Sequence, residues 1–149
     1  MAKEGDWVVG TGGKSHRSAG NGKLIYAMRV TTTIPLSRYL TSPKYSRRAD
    51  RFPEIPYRQS RVALISEEFW YFGRNAINIA LVPNRHLTDG LEKRGPNYRA
   101  DFSPAFIDDF ANWIRETYRQ GIHGEPCDGT PAHWGPRRCG RRPPKRVVC

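Results

Sequence analysis

The sequence predicts a small α+β domain in which a mostly antiparallel sheet packs against one helix near the C-terminus. Segments rich in β-branched and aromatic residues recur between residues 6 and 82, and one strongly amphipathic stretch follows at 103–118. The last 13 residues are basic and contain proline. We therefore assign residues 1–136 to one α+β domain and residues 137–149 to a disordered basic tail. A chain of 149 residues is long enough to bury one hydrophobic core.

The first two strands are predicted to form a hairpin. Asp6–Gly10 is typical of a short strand, and Lys23–Ile34 is the clearest strand, because β-branched and aromatic residues recur in it at period two. The Asn21-Gly22 pair before it favours a tight turn. Strict alternation would place one set of side chains on a single face: Leu24, Tyr26, Met28 and Val30.

Further short elements follow along the chain. Leu36–Leu40 predicts one helical turn, and the following stretch at 41–59, with three prolines, predicts a loop. Three more strands are predicted at Arg61–Ser66, Phe69–Gly73 and Ile77–Val82.

Ser103–Tyr118 is the strongest predicted helix. Ser103 is a good N-cap, Pro104 suits the first helical position, and Gly121 can end the helix. Its apolar side chains recur at helical spacing and predict a face packed on the sheet. They are Phe106, Ile107, Phe110, Trp113, Ile114 and Tyr118.

Charge is distributed unevenly along the chain, which has a formal net charge of +11. Residues 1–62 carry a net +8, residues 63–136 a net −3, and residues 137–149 a net +6. This pattern favours a polyanionic partner, although a solvated surface with a basic tail would give the same totals.

Neither a membrane protein nor a secreted disulfide scaffold is indicated. No apolar stretch approaches the roughly 20 residues of a membrane helix, the N-terminus has no apolar signal region, and there are three cysteines. We expect a cytoplasmic location. The spacing of Cys127, His133, Cys139 and Cys149 lacks any paired-ligand motif, so we expect unpaired reduced cysteines, no metal and no cofactor. Cys127 with His123 or His133 could form a nucleophile and base, but glycine and proline surround them.

The glycine-rich run from Gly10 to Ser15 is not a phosphate-binding loop of the nucleoside triphosphatase type. The required first glycine is replaced by Val8, and the residues after Lys14 do not predict a helix. A strand-end loop with Lys14 could still hold one phosphate, and a plain turn is the alternative.

Basic residues interleaved with aromatic rings give the best functional signal. Arginine and lysine contact phosphates, while aromatic rings stack on unpaired bases and an amide pairs with a base edge. Core packing is the alternative reading for the rings. The candidate nucleic-acid or nucleotide contacts are Lys14, Tyr26, Arg29, Lys44, Arg47, Arg48, Arg51, Trp70, Tyr71, Arg74 and Asn75.

Several ordered blocks of the sequence resemble one known family. The blocks are Gly5–Gly12, Gly22–Val30, Val62–Ser66, Phe69–Gly73, Phe102–Trp113 and Gly124–Pro126. Together they resemble the nucleotide modification-associated domain of type 2 over residues 5–128. A gap lies around residues 49–61, where family members carry a longer insertion. The resemblance implies a small α+β domain that works beside bacterial or phage DNA- or nucleotide-modification systems, with DNA favoured over RNA as the partner. The strand–loop–strand start also resembles PUA-like barrels, which implies a twisted or partly closed sheet.

The chain departs from the family pattern at its start. Family members carry a further strand before the Gly5 block, and its absence would expose a sheet edge and favour self-association. Two other hypotheses therefore stand beside a binding module. One is an enzyme acting on a nucleotide or base, with His86, Asp89 or Lys14 as acid–base groups. The other is a truncated fragment of such a domain.

Overall fold

The computed structural model of the protein describes residues 2–14, 18–46, 62–86, 91 and 98–126. Three of the candidate contacts, Arg47, Arg48 and Arg51, lie outside these residues. So do the cysteines and the basic segment 137–149, whose predicted disorder stays a prediction.

A β-hairpin opens the domain, as the sequence predicts. Strand β1 (Trp7–Thr11) pairs antiparallel with β2 (Lys23–Arg29), and Trp7 lies opposite Arg29. The Gly12 N–H donates to the Lys23 carbonyl at 2.8 Å and closes the loop end of the hairpin.

The predicted strict alternation along β2 is wrong because the strand contains a bulge. Gly10 pairs with Tyr26 and Thr11 pairs with Leu24, so Ile25 is the extra residue. The bulge changes which side chains face the core. Leu24 and Ala27, which alternation assigns to opposite faces, both have an exposed fraction of 0%.

The long strand predicted at Lys23–Ile34 is in fact two strands in two sheets. The Val30 N–H donates to the Asp6 carbonyl on the β1 side, whereas the Thr31 N–H donates to the Ile65 carbonyl on the other side. The chain therefore changes partners between these residues.

The second sheet has two strands and its own small core. Strand β3 (Thr32–Pro35) pairs antiparallel with β4 (Val62–Ile65). Helix α1 (Leu36–Thr41) follows β3 and confirms the predicted helical turn. The core of this part consists of Tyr39, Tyr45 and Ile65.

The predicted strand at Ile77–Val82 is mostly wrong. Strand β5 (Glu68–Tyr71) pairs with β2, and β6 (Ile77–Asn78) pairs with the start of β2. Residues Ile79–Leu81 then form a 3-10 turn in which the Asn78 side chain accepts from the Ala80 N–H at 3.0 Å. This local cap ends the strand after two residues.

The predicted C-terminal helix is confirmed as α2 (Pro104–Thr117). Ser103 caps it, because its Oγ accepts from the Phe106 N–H at 3.2 Å. All six residues of the predicted apolar stripe belong to the main core or pack against it. The helix ends at Thr117 with Tyr118 as its C-cap, so Gly121 does not terminate it.

Gly121 instead begins a strand that the sequence did not predict. Strand β7 (Gly121–Ile122) lies parallel to β5, and Gly121 has a φ of +121°. Within the described residues, the larger sheet has the order β1-β2-β5-β7 with β6 beside the start of β2. The architecture is thus α+β with one main helix. Within the described ranges, neither helix has the length and apolar character needed to cross a membrane.

Candidate nucleic-acid interface

The larger sheet has two unlike faces. Trp7, Ala27 and Trp70 share the face that packs on α2, and Trp7 meets Phe110 edge to face at a centroid distance of 5.5 Å. Alternation and register place a second set of side chains on the opposite face, which we call the open face. The open face carries Val8, Gly10, Tyr26, Met28, Phe69, Tyr71 and Ile122.

Apolar and aromatic groups dominate the open face. Phe69 is 37% exposed and Ile122 is 76% exposed. Tyr26 lies directly opposite Tyr71, and the next pair on this face is Met28 opposite Phe69. Three aromatic rings on two neighbouring strands are therefore within reach of one another across the pair.

Tyr26 takes its position because residue 10 is glycine. A Cβ on Gly10 would overlap with the Tyr26 ring atoms Cε1, Cδ1 and Cζ, so the ring fills the space above the glycine. Partial burial of the ring raises the pKa of the Tyr26 phenol. Tyr26 is therefore uncharged at physiological pH, and its hydroxyl can donate a hydrogen bond.

Three cations lie at one end of the strands of this sheet. We call this end of the sheet the basic end. Lys14 follows β1, Lys23 begins β2, and Arg74 lies in the 3-10 turn Gly73–Asn75 after β5. Lys14 and Arg74 are exposed. Lys23 is not among the contacts that the sequence predicts. In the structure it precedes the buried Leu24 and so lies on the opposite face of the strand.

The other end of the sheet is acidic. Arg29 lies opposite Glu68, whose carboxylate accepts two hydrogen bonds from Arg115 at 2.6 and 3.1 Å. Glu4, Asp6 and Glu67 lie near the same end in the chain. Arg29 lines a shallow depression together with Glu68, so it is a weaker candidate for phosphate than the cations of the basic end.

Arg74 and Asn75 hold the chain that follows β7. The Asn75 Nδ2 donates to the His123 carbonyl at 2.6 Å, and the Arg74 backbone N–H donates to the Glu125 carbonyl at 2.8 Å. The Arg74 Nε also donates to the Pro126 carbonyl at 3.1 Å. We call these contacts between Gly73–Asn75 and His123–Pro126 the clasp.

Gly73 is required for the clasp. Its φ is +55°, and a Cβ at this position would overlap with the Glu125 carbonyl oxygen. The clasp explains why Gly73 and the Gly124–Pro126 block occur in the same chain, because the turn after β5 contacts the segment after β7. The Asn75 amide nitrogen uses one of its two hydrogens in the clasp, so Asn75 has a structural role here.

Two other candidates lie away from the open face. Trp70 is 1% exposed, and its Nε1 donates to the Tyr118 carbonyl at 2.9 Å. It is a core residue here and offers no surface to a base, because it lies on the helix side of β5. Lys44 is exposed in the turn Pro43–Tyr45, where its Nζ lies 5.5 Å from the centre of the Tyr45 ring.

One acid–base pair occurs near α2. The His86 Nε2 lies 3.3 Å from the Asp109 Oδ2, and the Arg85 Nε donates to the same oxygen at 2.6 Å. The hydrogen bond from Arg85 lowers the pKa of Asp109. Asp89, the other predicted acid–base group, lies outside the described residues. No group of three or more His, Cys, Asp or Glu within the described part of the chain could hold a metal ion.

One known protein family matches most of the chain. Residues 1–61 and 54–132 match the family described as nucleotide modification associated domain 2. The chain belongs to this family. The two matches overlap at 54–61, within the region where the sequence predicts that a family insertion is missing. No curated protein and no solved structure matches the chain. The strands of the open face, the basic end and the clasp all lie inside the matched residues.

Proposed function

We propose that this domain binds a nucleic acid or a modified nucleotide on the open face of its larger sheet. The observation that carries the proposal is the arrangement of Tyr26, Phe69 and Tyr71 on one face, with the basic end beside them. The family membership supports a role in nucleotide modification. In this role the domain would hold the strand or base on which a modification system acts.

The proposal follows from the chemistry of nucleotides. A base has an apolar face that stacks on a ring and a polar edge that pairs with an amide, whereas its phosphate seeks a cation. The open face supplies the rings, and the basic end supplies Lys14, Lys23 and Arg74. Stacking on one ring contributes about 1–3 kcal/mol per base.

The predicted contacts outside the open face have a secondary place in this proposal. Arg47, Arg48 and Arg51 would add long-range attraction, because most of the +11 charge lies outside the described residues, and Lys44 would add one exposed charge. We also propose, from sequence alone, a cytoplasmic role beside bacterial or phage DNA modification and a PUA-like curvature of the sheet. Self-association through an exposed edge of β1 stays a prediction.

A salt titration of the full chain tests the proposal. The change is Lys23→Gln, and Lys3→Gln at the acidic end is the matched control because both remove one charge. We expect Lys23→Gln to weaken binding of an oligonucleotide and to lower the slope of log K against log salt by about 0.7. Lys3→Gln should leave the slope unchanged. Binding that does not respond to salt, or an equal effect of both variants, would contradict the proposal.

An enzyme is the second candidate, and the His86–Asp109 pair favours it. A carboxylate beside an imidazole can orient the ring, as a general base requires. Turnover of a nucleotide that His86→Ala abolishes, while binding persists, would establish this reading. Binding without turnover in the unaltered chain would count against it.

A further inference from the structure

We infer that the ligand of the open face is an unpaired polynucleotide strand that runs across β1, β2 and β5. This inference rests on the proposed function, because it names the class of ligand that the same face takes. Its basis is the direction of the cation row relative to the rings.

The rings can contact only bases whose faces are accessible. In a duplex, both faces of each base are covered by its stacked neighbours, so a ring on a protein surface cannot stack on it. Phe69 is 37% exposed, and Ile122 at 76% extends the apolar surface beyond Tyr71 on the neighbouring strand. A sheet surface of this kind suits bases splayed out from a single strand.

The cations lie in a row along one end of the sheet. Lys14 follows β1, Lys23 begins β2 beside β6, and Arg74 lies in the turn after β5. One backbone of successive phosphates follows a row, whereas a duplex presents two backbones on either side of a groove.

The path of the bases follows from this row. With the phosphates at the basic end, the bases extend along the strands toward Tyr26 and then Phe69. The acidic end lies beyond the rings, and because Glu68 there pairs with Arg115, this end offers no excess positive charge to a second backbone. Charge and apolar surface thus lie in the same order as phosphate and base in a nucleotide.

Helix α2 does not offer an alternative mode of groove recognition. Its inward stripe is in the core, and its exposed positions include Asp108 and Glu116 beside Arg115. Carboxylates on a helix surface repel phosphates, so a major-groove contact by this helix is disfavoured.

Fluorescence anisotropy of the full chain at low salt tests the inference. The probes are a labelled 12-nucleotide single strand of DNA, its RNA equivalent, the matched DNA duplex, and a labelled mononucleotide. We expect the single strands to bind at least about tenfold more tightly than the duplex or the mononucleotide, because only they combine stacked bases with a row of phosphates. The DNA and RNA arms then decide between the two sources of an unpaired strand.

Two variants locate the effect on the open face. Phe69→Ala should weaken single-strand binding about tenfold and leave weak duplex binding unchanged, because the lost ring stacks only on unpaired bases. The control is Tyr98→Ala, which removes a ring that is 89% exposed outside the sheet. It should bind like the unaltered chain, and thermal unfolding should show both variants folded.

The outcomes separate the inference from the proposed function. Equal or tighter binding of the duplex, or of the mononucleotide, would overturn the inference and leave nucleic-acid or nucleotide binding standing. Single-strand preference that persists unchanged in Phe69→Ala would also overturn it. No binding of any probe at low salt would overturn the proposed function itself.

Discussion

Glycines decide the shape of both parts of the site. Gly10 leaves the space in which the Tyr26 ring lies, and Gly73 adopts the positive φ that lets the clasp close. Neither role is visible as a charged or reactive side chain. The sequence identifies a glycine-rich start and a Phe-Gly block, but it does not say which atoms approach the missing Cβ.

Gly73→Ala should destabilise the domain by more than about 2 kcal/mol. The added Cβ is unfavourable at φ +55° and overlaps with the Glu125 carbonyl, which belongs to the backbone and cannot rotate away. Gly13→Ala is the matched control, since nothing lies within 4 Å of its Cβ position. Urea unfolding of both variants measures the difference. A Gly73→Ala variant as stable as Gly13→Ala would show that the clasp is dispensable.

Tyr26 should make stability fall at alkaline pH. Burial raises its pKa above the ordinary value of 10.0 for a tyrosine. Between these two values the unfolded chain loses the phenolic proton while the folded chain keeps it. The unfolded state then binds fewer protons, so the free energy of unfolding decreases as pH rises above about 10.

The Tyr26→Phe variant should lose this part of the pH dependence. Tyr98→Phe, at a ring that is 89% exposed, is the matched control. Urea unfolding of each variant between pH 8 and pH 11 checks the prediction. A Tyr26→Phe curve parallel to that of the unaltered chain over this range would contradict it.

At the scale of elements, local sequence signals predicted an element correctly where several of them agreed. The α2 helix was predicted because cap, proline and apolar stripe agree, and the β1–β2 hairpin because segments typical of strands lie on both sides of a long glycine-rich loop. The bulge at Ile25 and the change of partner at Val30 could not be predicted from period two, because they depend on strands distant in sequence. Strand β7 has two residues and a parallel partner about 50 positions away, so no local pattern signals it.

The same limit applied to the candidate site. Tyr26 and Tyr71 lie opposite each other on the open face and stay candidates, but Trp70 was selected for its ring and lies in the core. Alternation places Trp70 and Tyr71 on opposite faces of the strand, but only the tertiary structure shows which face α2 covers. Lys23 was overlooked because a lone lysine at a strand start has no pattern of its own.

The clasp should behave as one element that holds β7 to the sheet. Asn75→Ala removes the hydrogen bond to the His123 carbonyl and should lower the free energy of unfolding by about 1 kcal/mol. Hydrogen exchange at the His123 N–H, which donates to the Tyr71 carbonyl at 2.7 Å, should become faster. Asn84→Ala, at an exposed asparagine, is the control. Unchanged exchange at His123 would mean that β7 is held without Asn75.

At the scale of the whole molecule, the excess positive charge and the aromatic surface of the sheet lie in different parts of the chain. The described residues carry eleven Lys and Arg against nine Asp and Glu, so they account for little of the net +11. The rings and the cation row lie within the described sheet, whereas most of the excess positive charge lies in the segments outside it. Under the proposed function, we expect selectivity to come from the sheet and much of the salt-dependent affinity from the charges of those segments.

Replacing the six Lys and Arg of residues 137–149 with Gln should separate these contributions. We expect the salt slope of single-strand binding to fall by between about 1 and 4, since each phosphate contact contributes about 0.7. The preference for single strand over duplex should remain, because the rings are untouched. Anisotropy titrations at three salt concentrations measure both quantities. A lost preference with an unchanged slope would contradict this expectation.

The central claim is that the open face is the binding surface, and NMR chemical-shift mapping tests it most directly. A short single-stranded oligonucleotide is titrated into the isotope-labelled full chain. The account predicts that the largest shifts occur at Tyr26, Phe69, Lys23 and Ile122, with the exposed side of α2 unaffected. Largest shifts on α2 or at the acidic end around Glu68, with the open face unchanged, would contradict it.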